Sequence, residues 1–153
     1  MLHPLKAEPI SQKGPDQAVF AINEVVLSRQ RLQTTRIRVR IAEREYPMVV
    51  GDGLIVTTAI GSRGYNRSAG GPLLAHDAPT LALTAIAPDA RSKWHNITVA
   101  NSSVLEIDVA SAEFRSVRLE TSDLEIRDLR RVRIECCRQV HLPLLFDRGF
   151  VGR

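Results

Sequence analysis

One stretch indicates the fold class, and it reads Arg36-Ile37-Arg38-Val39-Arg40-Ile41. Apolar and basic residues alternate strictly there, which places the apolar side chains on one face of a β-strand and the arginines on the other. On both sides of it, short apolar runs recur at spacings of about 8–12 residues, and no long amphipathic helical pattern separates them. The sequence therefore predicts an all-β domain, a sandwich or barrel, with at most short helices.

The length of 153 residues suits one domain with its own core. Residues 1–17 hold three prolines and a glycine among polar residues, so we predict an irregular N-terminal segment there. Residues 18–153 are then a single β-domain. Since no apolar run is long enough to span a bilayer or to act as a secretory signal, we expect a cytoplasmic protein with no membrane partner.

Arginine dominates the positive charge of the chain. The formal net charge is +4, and only three of the 21 basic residues are lysines. Arginine suits bidentate contact with phosphate, but a net charge this small does not by itself argue for nucleic acid, which we expect not to be a partner. Two groups of arginines on or next to predicted strands could still form a contact surface for a nucleic acid or a protein; the alternative is a solvated strand face. These residues are Arg36, Arg38, Arg40, Arg127, Arg130, Arg131 and Arg133.

Metal chemistry has little support in the sequence. The four histidines are scattered at spacings that fit no metal site. Cys136 and Cys137 are adjacent, so they make neither a disulfide framework nor a four-ligand zinc site. We therefore expect no resident metal.

The polar pair Asn23-Glu24 stands inside an apolar run, residues 19–27, that otherwise predicts one strand. An amide and a carboxylate are costly to bury unless each is hydrogen-bonded. Facing a ligand, the amide offers a donor and an acceptor to a base edge, and the carboxylate accepts hydrogen bonds from two ribose hydroxyls. The alternative is a solvated strand position or a bulge.

The stretch from Gly51 to Pro72 is rich in glycine and small polar residues. Glycines let a backbone approach a ligand closely, and exposed N–H groups together with Ser62 and Ser68 can donate to phosphate or sugar oxygens. Tyr65 could stack on a ring. Such a turn can equally be structural, with a short helix near residues 66–69. It is neither a phosphate-binding P-loop nor the glycine fingerprint of a Rossmann fold.

Three motifs in this order and spacing resemble the C-terminal domain of NAD kinases. They are Ile22-Asn23-Glu24-Val25-Val26, the stretch that opens with Asp52-Gly53 and closes with Ser68-Ala69-Gly70-Gly71-Pro72, and Ala85-Ile86-Ala87-Pro88. The resemblance covers about residues 18–147 and implies a β-sandwich that binds NAD or NADP. It also implies homo-oligomers, formed through the sandwich, whose dinucleotide sites can receive residues from a neighbouring subunit.

The resemblance also implies roles for single residues. Asn23 and Glu24 hold the adenosine end of the dinucleotide, Asp52 lies near the nicotinamide riboside, and the backbone of Ala87 lines the same pocket. The full set of dinucleotide-binding residues implied is Asn23, Glu24, Asp52, Gly53, Ser62, Arg63, Gly64, Tyr65, Ser68 and Ala87. Three positions depart from the family pattern: Ile60 lacks a threonine hydroxyl, Arg63 replaces a small polar residue, and Asp89 replaces a histidine.

A further motif of the family is absent from this sequence. NAD kinases carry a Gly-Gly-Asp-Gly loop in an N-terminal α/β domain, and its aspartate is the proposed base for the adenosine 2′-hydroxyl; Gly51-Asp52-Gly53 is a different motif. Because phosphoryl transfer requires donor, metal and acceptor to be positioned together, we assign no catalytic residue here. ATP and Mg²⁺ enter only if another chain supplies the donor domain.

Three hypotheses follow from the sequence. The chain is an NAD kinase component that is active only if another chain or a missing segment supplies the donor site, a non-catalytic module that senses or stores NAD or NADP, or an arginine-rich module for a protein or nucleic acid. The dinucleotide motifs favour the first two, and the missing loop favours the second for the chain alone.

Overall fold

The protein is described by a computed structural model, which places residues 1–145. Two antiparallel sheets share one apolar core, and the only α-helix among these residues is one turn long. The all-β prediction is therefore confirmed. The strands are β1 (Leu5–Ser11), β2 (Gly14–Pro15), β3 (Val19–Ala21), β4 (Glu24–Arg29), β5 (Thr35–Ile41), β6 (Arg44–Glu45), β7 (Val49–Gly51), β8 (Gly53–Thr57), β9 (Thr80–Ile86), β10 (Ile97–Ala100), β11 (Leu105–Val109), β12 (Val117–Glu120), β13 (Glu125–Ile126) and β14 (Leu129–Cys136), and the helix is α1 (Tyr65–Ser68).

The strand order defines the two layers. The first sheet runs β2-β1-β14-β11-β5-β6, with β3 paired to β1 and β7 paired to β5. The second sheet runs β10-β9-β8-β4-β12-β13. Alternate residues of the strands point inward, as Ile37, Val39 and Ile41 of β5 do, and the inward residues of both sheets form one continuous core.

The N-terminal segment is not irregular as predicted. Residues 5–11 form β1, which pairs along its length with β14 and buries every second residue, Leu5 and Ala7 completely. The prolines favoured the prediction of an irregular segment, but a strand tolerates proline at positions where a backbone N–H would make no hydrogen bond within the sheet. Gly14, at φ +112°, forms the turn into β2. The remainder of the predicted domain, residues 146–153, lies outside the described residues.

The run 19–27 is two strands rather than one. β3 joins the first sheet beside β1, and β4 joins the second sheet between β8 and β12. The chain bends at Ile22 and Asn23 to pass from one sheet to the other. The same passage occurs at Asp52, because β7 belongs to the first sheet and β8 to the second. The two polar motifs of the sequence therefore both stand where the backbone changes sheets.

No helix among residues 1–145 is long and apolar enough to cross a membrane.

Candidate functional site

The bend at Asn23 is held by two threonines at the end of β8. The Asn23 carbonyl accepts hydrogen bonds from the Thr58 N–H at 2.9 Å and from the Thr57 hydroxyl at 3.1 Å. The Thr58 hydroxyl donates to the Ile22 carbonyl at 2.9 Å. These bonds fix the backbone before Glu24. The sequence does not indicate this role, because Thr57 and Thr58 are typical strand residues.

The glycine-rich segment begins directly behind this bend. Residues Gly61–Arg63 form a 3₁₀ turn, and α1 follows it, one residue earlier than the short helix predicted. Gly61 packs so closely on Asn23 that a Cβ there would collide with the Asn23 carbonyl oxygen and the Thr57 hydroxyl. Only glycine allows this approach. The amide–carboxylate pair and the glycine-rich segment therefore lie side by side.

A buried asparagine, which was not predicted from the sequence, shapes that segment. The Asn66 side-chain amide donates to the carbonyls of Pro72 and Ser62 at 2.8 and 3.2 Å, and its oxygen accepts from the Thr84 hydroxyl at 2.6 Å. All of its side-chain hydrogen-bonding groups are engaged, so burial is not penalised. An asparagine among small polar loop residues gives no signal of such a role, because its partners are distant in sequence or are backbone atoms.

Not all residues predicted in this segment face outward. Ser62 is fully buried, and its hydroxyl donates to the Ala59 carbonyl at 2.7 Å and accepts from the Leu74 N–H at 3.1 Å. In this conformation the hydroxyl that was predicted to donate to a ligand is instead engaged within the segment and holds it together. The Arg63 guanidinium donates to the Leu74 carbonyl at 3.0 Å, so it is engaged within the segment. The exposed members are Gly64, Tyr65 and Ser68.

A cavity of about 680 Å³ opens beside the bend. Its lining joins the bend, the turn between β12 and β13, and the two ends of the described chain: Pro4, Phe20, Ala21, Ile22, Asn23, Glu24, Ser122, Asp123, Val140 and Leu142. The volume lies within the range of small-molecule sites, and the walls are mostly apolar with a few polar groups, as such sites usually are. Burial raises the pKa of the Glu24 carboxyl above its ordinary value.

Asp52, Gly53 and Ala87 form a separate group. Asp52 accepts from Arg29 at 3.0 Å between Oδ1 and Nε, and its N–H donates to the Ile86 carbonyl at 2.8 Å. Ala87 follows directly with a left-handed φ of +43° and is exposed. This group therefore combines a half-exposed ion pair with an exposed backbone segment.

The two groups stand at opposite ends of β8. Glu24 lies opposite Thr57 at the end of that strand, whereas Asp52 immediately precedes its first residue, Gly53. Five residue steps at about 3.3 Å separate the two ends by about 16 Å. All five residues of β8 are buried, so a ligand cannot lie along the strand from one group to the other within a single chain.

The arginines do not form a uniformly basic face. On the outer side of the first sheet, Arg133 lies within 3.4 Å of Glu8, 3.6 Å of Glu106 and 2.8 Å of Glu135. Arg131 pairs with Asp108 at 3.3 Å. Acidic residues of β11 also stand opposite Arg38 and Arg40 of β5. The charge on this face therefore alternates from strand to strand. Among residues 1–145, no group of three or more His, Cys, Asp or Glu side chains could hold a metal ion.

Comparison with known families identifies the domain. The profile described as ATP-NAD kinase C-terminal domain matches residues 22–141. The chain belongs to this family. The NAD kinase of Mesorhizobium japonicum is 32% identical over 147 residues, which cover 95% of this chain and 57% of that protein. The NAD kinase of Zymomonas mobilis is 33% identical over the same length, which covers 95% of this chain and 57% of that protein. The chain thus spans somewhat more than half the length of these relatives.

Solved structures in the NAD kinase family share the fold. The yeast NADH kinase complexed with NADH has a TM-score of 0.77 at 21% identity, over 88% of this chain and 40% of that chain. The NAD kinase from Archaeoglobus fulgidus in complex with ATP has a TM-score of 0.72 at 24% identity, over 90% of this chain and 52% of that chain. The resemblance inferred from the motifs and the fold it implied are both confirmed.

Proposed function

We propose that this chain is the dinucleotide-binding part of an NAD kinase and that it binds NAD or NADP at the bend and the glycine-rich segment. The observation that carries the proposal is the contact between them: Thr58, Thr57 and Gly61 hold Asn23 and Glu24 at the edge of a cavity of about 680 Å³. A half-buried carboxylate there is an acceptor for ribose hydroxyls, and Tyr65 and Ser68 are exposed on the adjoining helix. The related yeast enzyme complexed with NADH supports a dinucleotide ligand.

Asp52, Gly53 and Ala87 act on the dinucleotide bound by a second copy of the chain. The buried strand β8 keeps them about 16 Å from Glu24, and a ligand cannot follow that strand within one chain. A two-fold assembly brings the Asp52 end of one copy to the Glu24 end of another, and it does so twice. Each site is then built from two chains.

The reaction proposed for the assembled enzyme is the phosphorylation of the adenosine 2′-hydroxyl of NAD to give NADP. ATP and Mg²⁺ belong to a Gly-Gly-Asp-Gly domain, and that loop is absent from this sequence. The chain alone is therefore expected to bind NAD without converting it, like a sensing or storage module. Turnover of NAD and ATP to NADP by this chain alone would contradict that assignment.

Calorimetry with mixed variants tests the two-chain site. Glu24→Ala and Asp52→Ala should each weaken NAD binding by about 1–3 kcal/mol, because partner groups lose a hydrogen bond. An equimolar mixture of the two variants contains heterodimers with one unaltered site each, so about a quarter of all sites should regain the original affinity.

The controls separate the possible failures. Glu113→Ala removes an exposed carboxylate far from Glu24 in sequence and should leave NAD binding unchanged. A mixture that binds no better than its components would show that Glu24 and Asp52 do not complement one another across chains. Tight ATP binding without NAD binding would contradict the whole proposal.

A further inference from the structure

The cavity beside Glu24 receives a second carboxylate, Asp123, which lies outside the three motifs of the sequence. Strand β12 pairs with β4 so that Glu120 lies opposite Val26, and the following turn therefore reaches the end of β4 where Glu24 stands. A hydrogen bond from the Thr121 N–H to the Leu124 carbonyl at 2.9 Å closes this turn. Ser122 and Asp123 lie at its tip, and both line the cavity.

The charge of the cavity is negative and unbalanced. Glu24 and Asp123 supply two carboxylates, and among the described residues that line the cavity none is arginine, lysine or histidine. Elsewhere the chain pairs most of its buried or half-buried carboxylates with arginine, as Asp52 is paired with Arg29. A ligand group that carries negative charge is therefore repelled here, whereas hydroxyl and amino groups find acceptors.

The apolar walls of the cavity favour a ligand that also has an apolar part. Phe20 and Ile22 each expose 52% of their surface, and Val140 exposes 41%, although all three are large apolar residues. They line the cavity beside the two carboxylates and Ser122. A flat heterocycle joined to a polyhydroxylated sugar matches this combination of apolar walls and acceptors.

The family resemblance implies that Asn23 and Glu24 hold the adenosine end of the dinucleotide, and we propose that Asp123, in the lining of the same cavity, is a specificity-determining residue that favours NAD, with its free 2′-hydroxyl, over NADP. The inference rests on the proposed function and adds a residue to that site. Asp123 and Glu24 accept hydrogen bonds from ribose hydroxyls, and both repel the 2′-phosphate that distinguishes NADP. A carboxylate plays the same discriminating part at the ribose in dinucleotide sites of other folds.

The test is a pair of dissociation constants, for NAD and for NADP, measured by calorimetry at low ionic strength, where charge effects are least screened. The original chain should bind NAD more tightly. Asp123→Asn keeps the shape of the side chain and should reduce the preference about 3–10-fold, mainly by strengthening NADP binding. Asp123→Lys should reduce it further. Glu113→Gln, which removes another exposed carboxylate outside this cavity, should leave the ratio unchanged.

The outcomes distinguish this inference from the proposed function. A ratio unchanged in Asp123→Asn and Asp123→Lys would overturn the inference, as would an equal loss of affinity for both dinucleotides, which indicates a structural role. Absence of binding of either dinucleotide to the original chain would instead contradict the proposed function.

Discussion

At the residue scale, Glu24 combines a proposed ligand-binding position with a cost to the fold. It is half-buried at the start of β4, and burial raises the pKa of its carboxyl. The folded protein thus holds the proton on Glu24 more tightly than the unfolded chain does. Ionisation of Glu24 therefore destabilises the fold as pH rises through the raised pKa, and below the ordinary carboxyl pKa this loss is absent.

We predict that Glu24→Gln increases the free energy of unfolding at pH 7, because a neutral amide escapes the desolvation of a carboxylate. The gain should diminish as the pH falls and vanish well below the ordinary carboxyl pKa, where Glu24 is protonated in both states. Urea denaturation across this pH range measures it. Glu113→Gln, at an exposed position, should show no such pH-dependent difference. A gain that is the same at every pH would contradict the role of ionisation.

Residues differ in how far their sequence context reveals them. Asn23 and Glu24 were conspicuous because a polar pair interrupted an apolar run. Asn66 was not conspicuous, although it makes three side-chain hydrogen bonds, because neither Thr84 nor Pro72 can be recognised as its partner before the chain folds. Ser62 illustrates the converse: a hydroxyl in a glycine-rich segment suggested ligand contact, and tertiary packing turned it inward.

At the scale of elements, the contact between the glycine-rich segment and the bend depends on one missing methyl group. We predict that Gly61→Ala destabilises the protein and weakens NAD binding, because its Cβ would collide with the Asn23 carbonyl oxygen and force the two elements apart. The expected loss of folding free energy is about 1–3 kcal/mol, as for other overpacked sites. Thermal or urea denaturation measures the first effect, and calorimetry the second.

Arg67 provides the control for the stability measurement. It lies in the same segment, its side chain is exposed, and alanine suits the helical backbone of α1 at this position. Arg67→Ala should therefore retain nearly the original folding free energy, and an equal loss in both variants would show that the close approach of Gly61 is not the cause.

Elements with a strict period of two were predictable, and the passages between sheets were not. β5 and β11 alternate so regularly that their inward faces follow from the sequence. Residues 19–27 also look like one strand, but the spacing of apolar residues does not indicate where the chain passes from one sheet to the other. Strand β1 was missed for a different reason, because prolines outweighed the alternate burial of Leu5 and Ala7.

At the scale of the whole molecule, the N-terminal strand is part of the first sheet and contributes to the common core. We predict that deletion of residues 1–11 prevents folding, since it removes Leu5 and Ala7 from the core and leaves β14 without a partner on one side. The amide signals in a ¹H–¹⁵N NMR spectrum should collapse into the narrow range of an unfolded chain. Lys13→Ala, at the exposed turn after β1, is the control and should keep the dispersed spectrum. A dispersed spectrum from the deletion variant would show that β1 is dispensable for folding.

The resemblance implied that a neighbouring subunit can contribute to the site, but the sequence did not indicate which of the predicted residues lie together. The motifs lie in one order along the chain, which suggests a single pocket, yet the register of β4 and β8 places Glu24 and Asp52 at opposite ends of both strands. Only the pairing of strands determines this, and pairing partners are distant in sequence. The family and the β-sandwich were within reach of the sequence, whereas the distribution of the site over the molecule required the fold.

Strand β8 has a consequence for how such a domain can change over time. A buried strand with fixed pairing on both sides works as a spacer of constant length, since substitutions within it alter packing but not the number of residues between its ends. In the proposed two-chain site, mutations at one end of β8 can therefore alter the contacts to one half of the ligand without moving the groups that contact the other half. Only an insertion or deletion within β8 would change both sets of contacts at once.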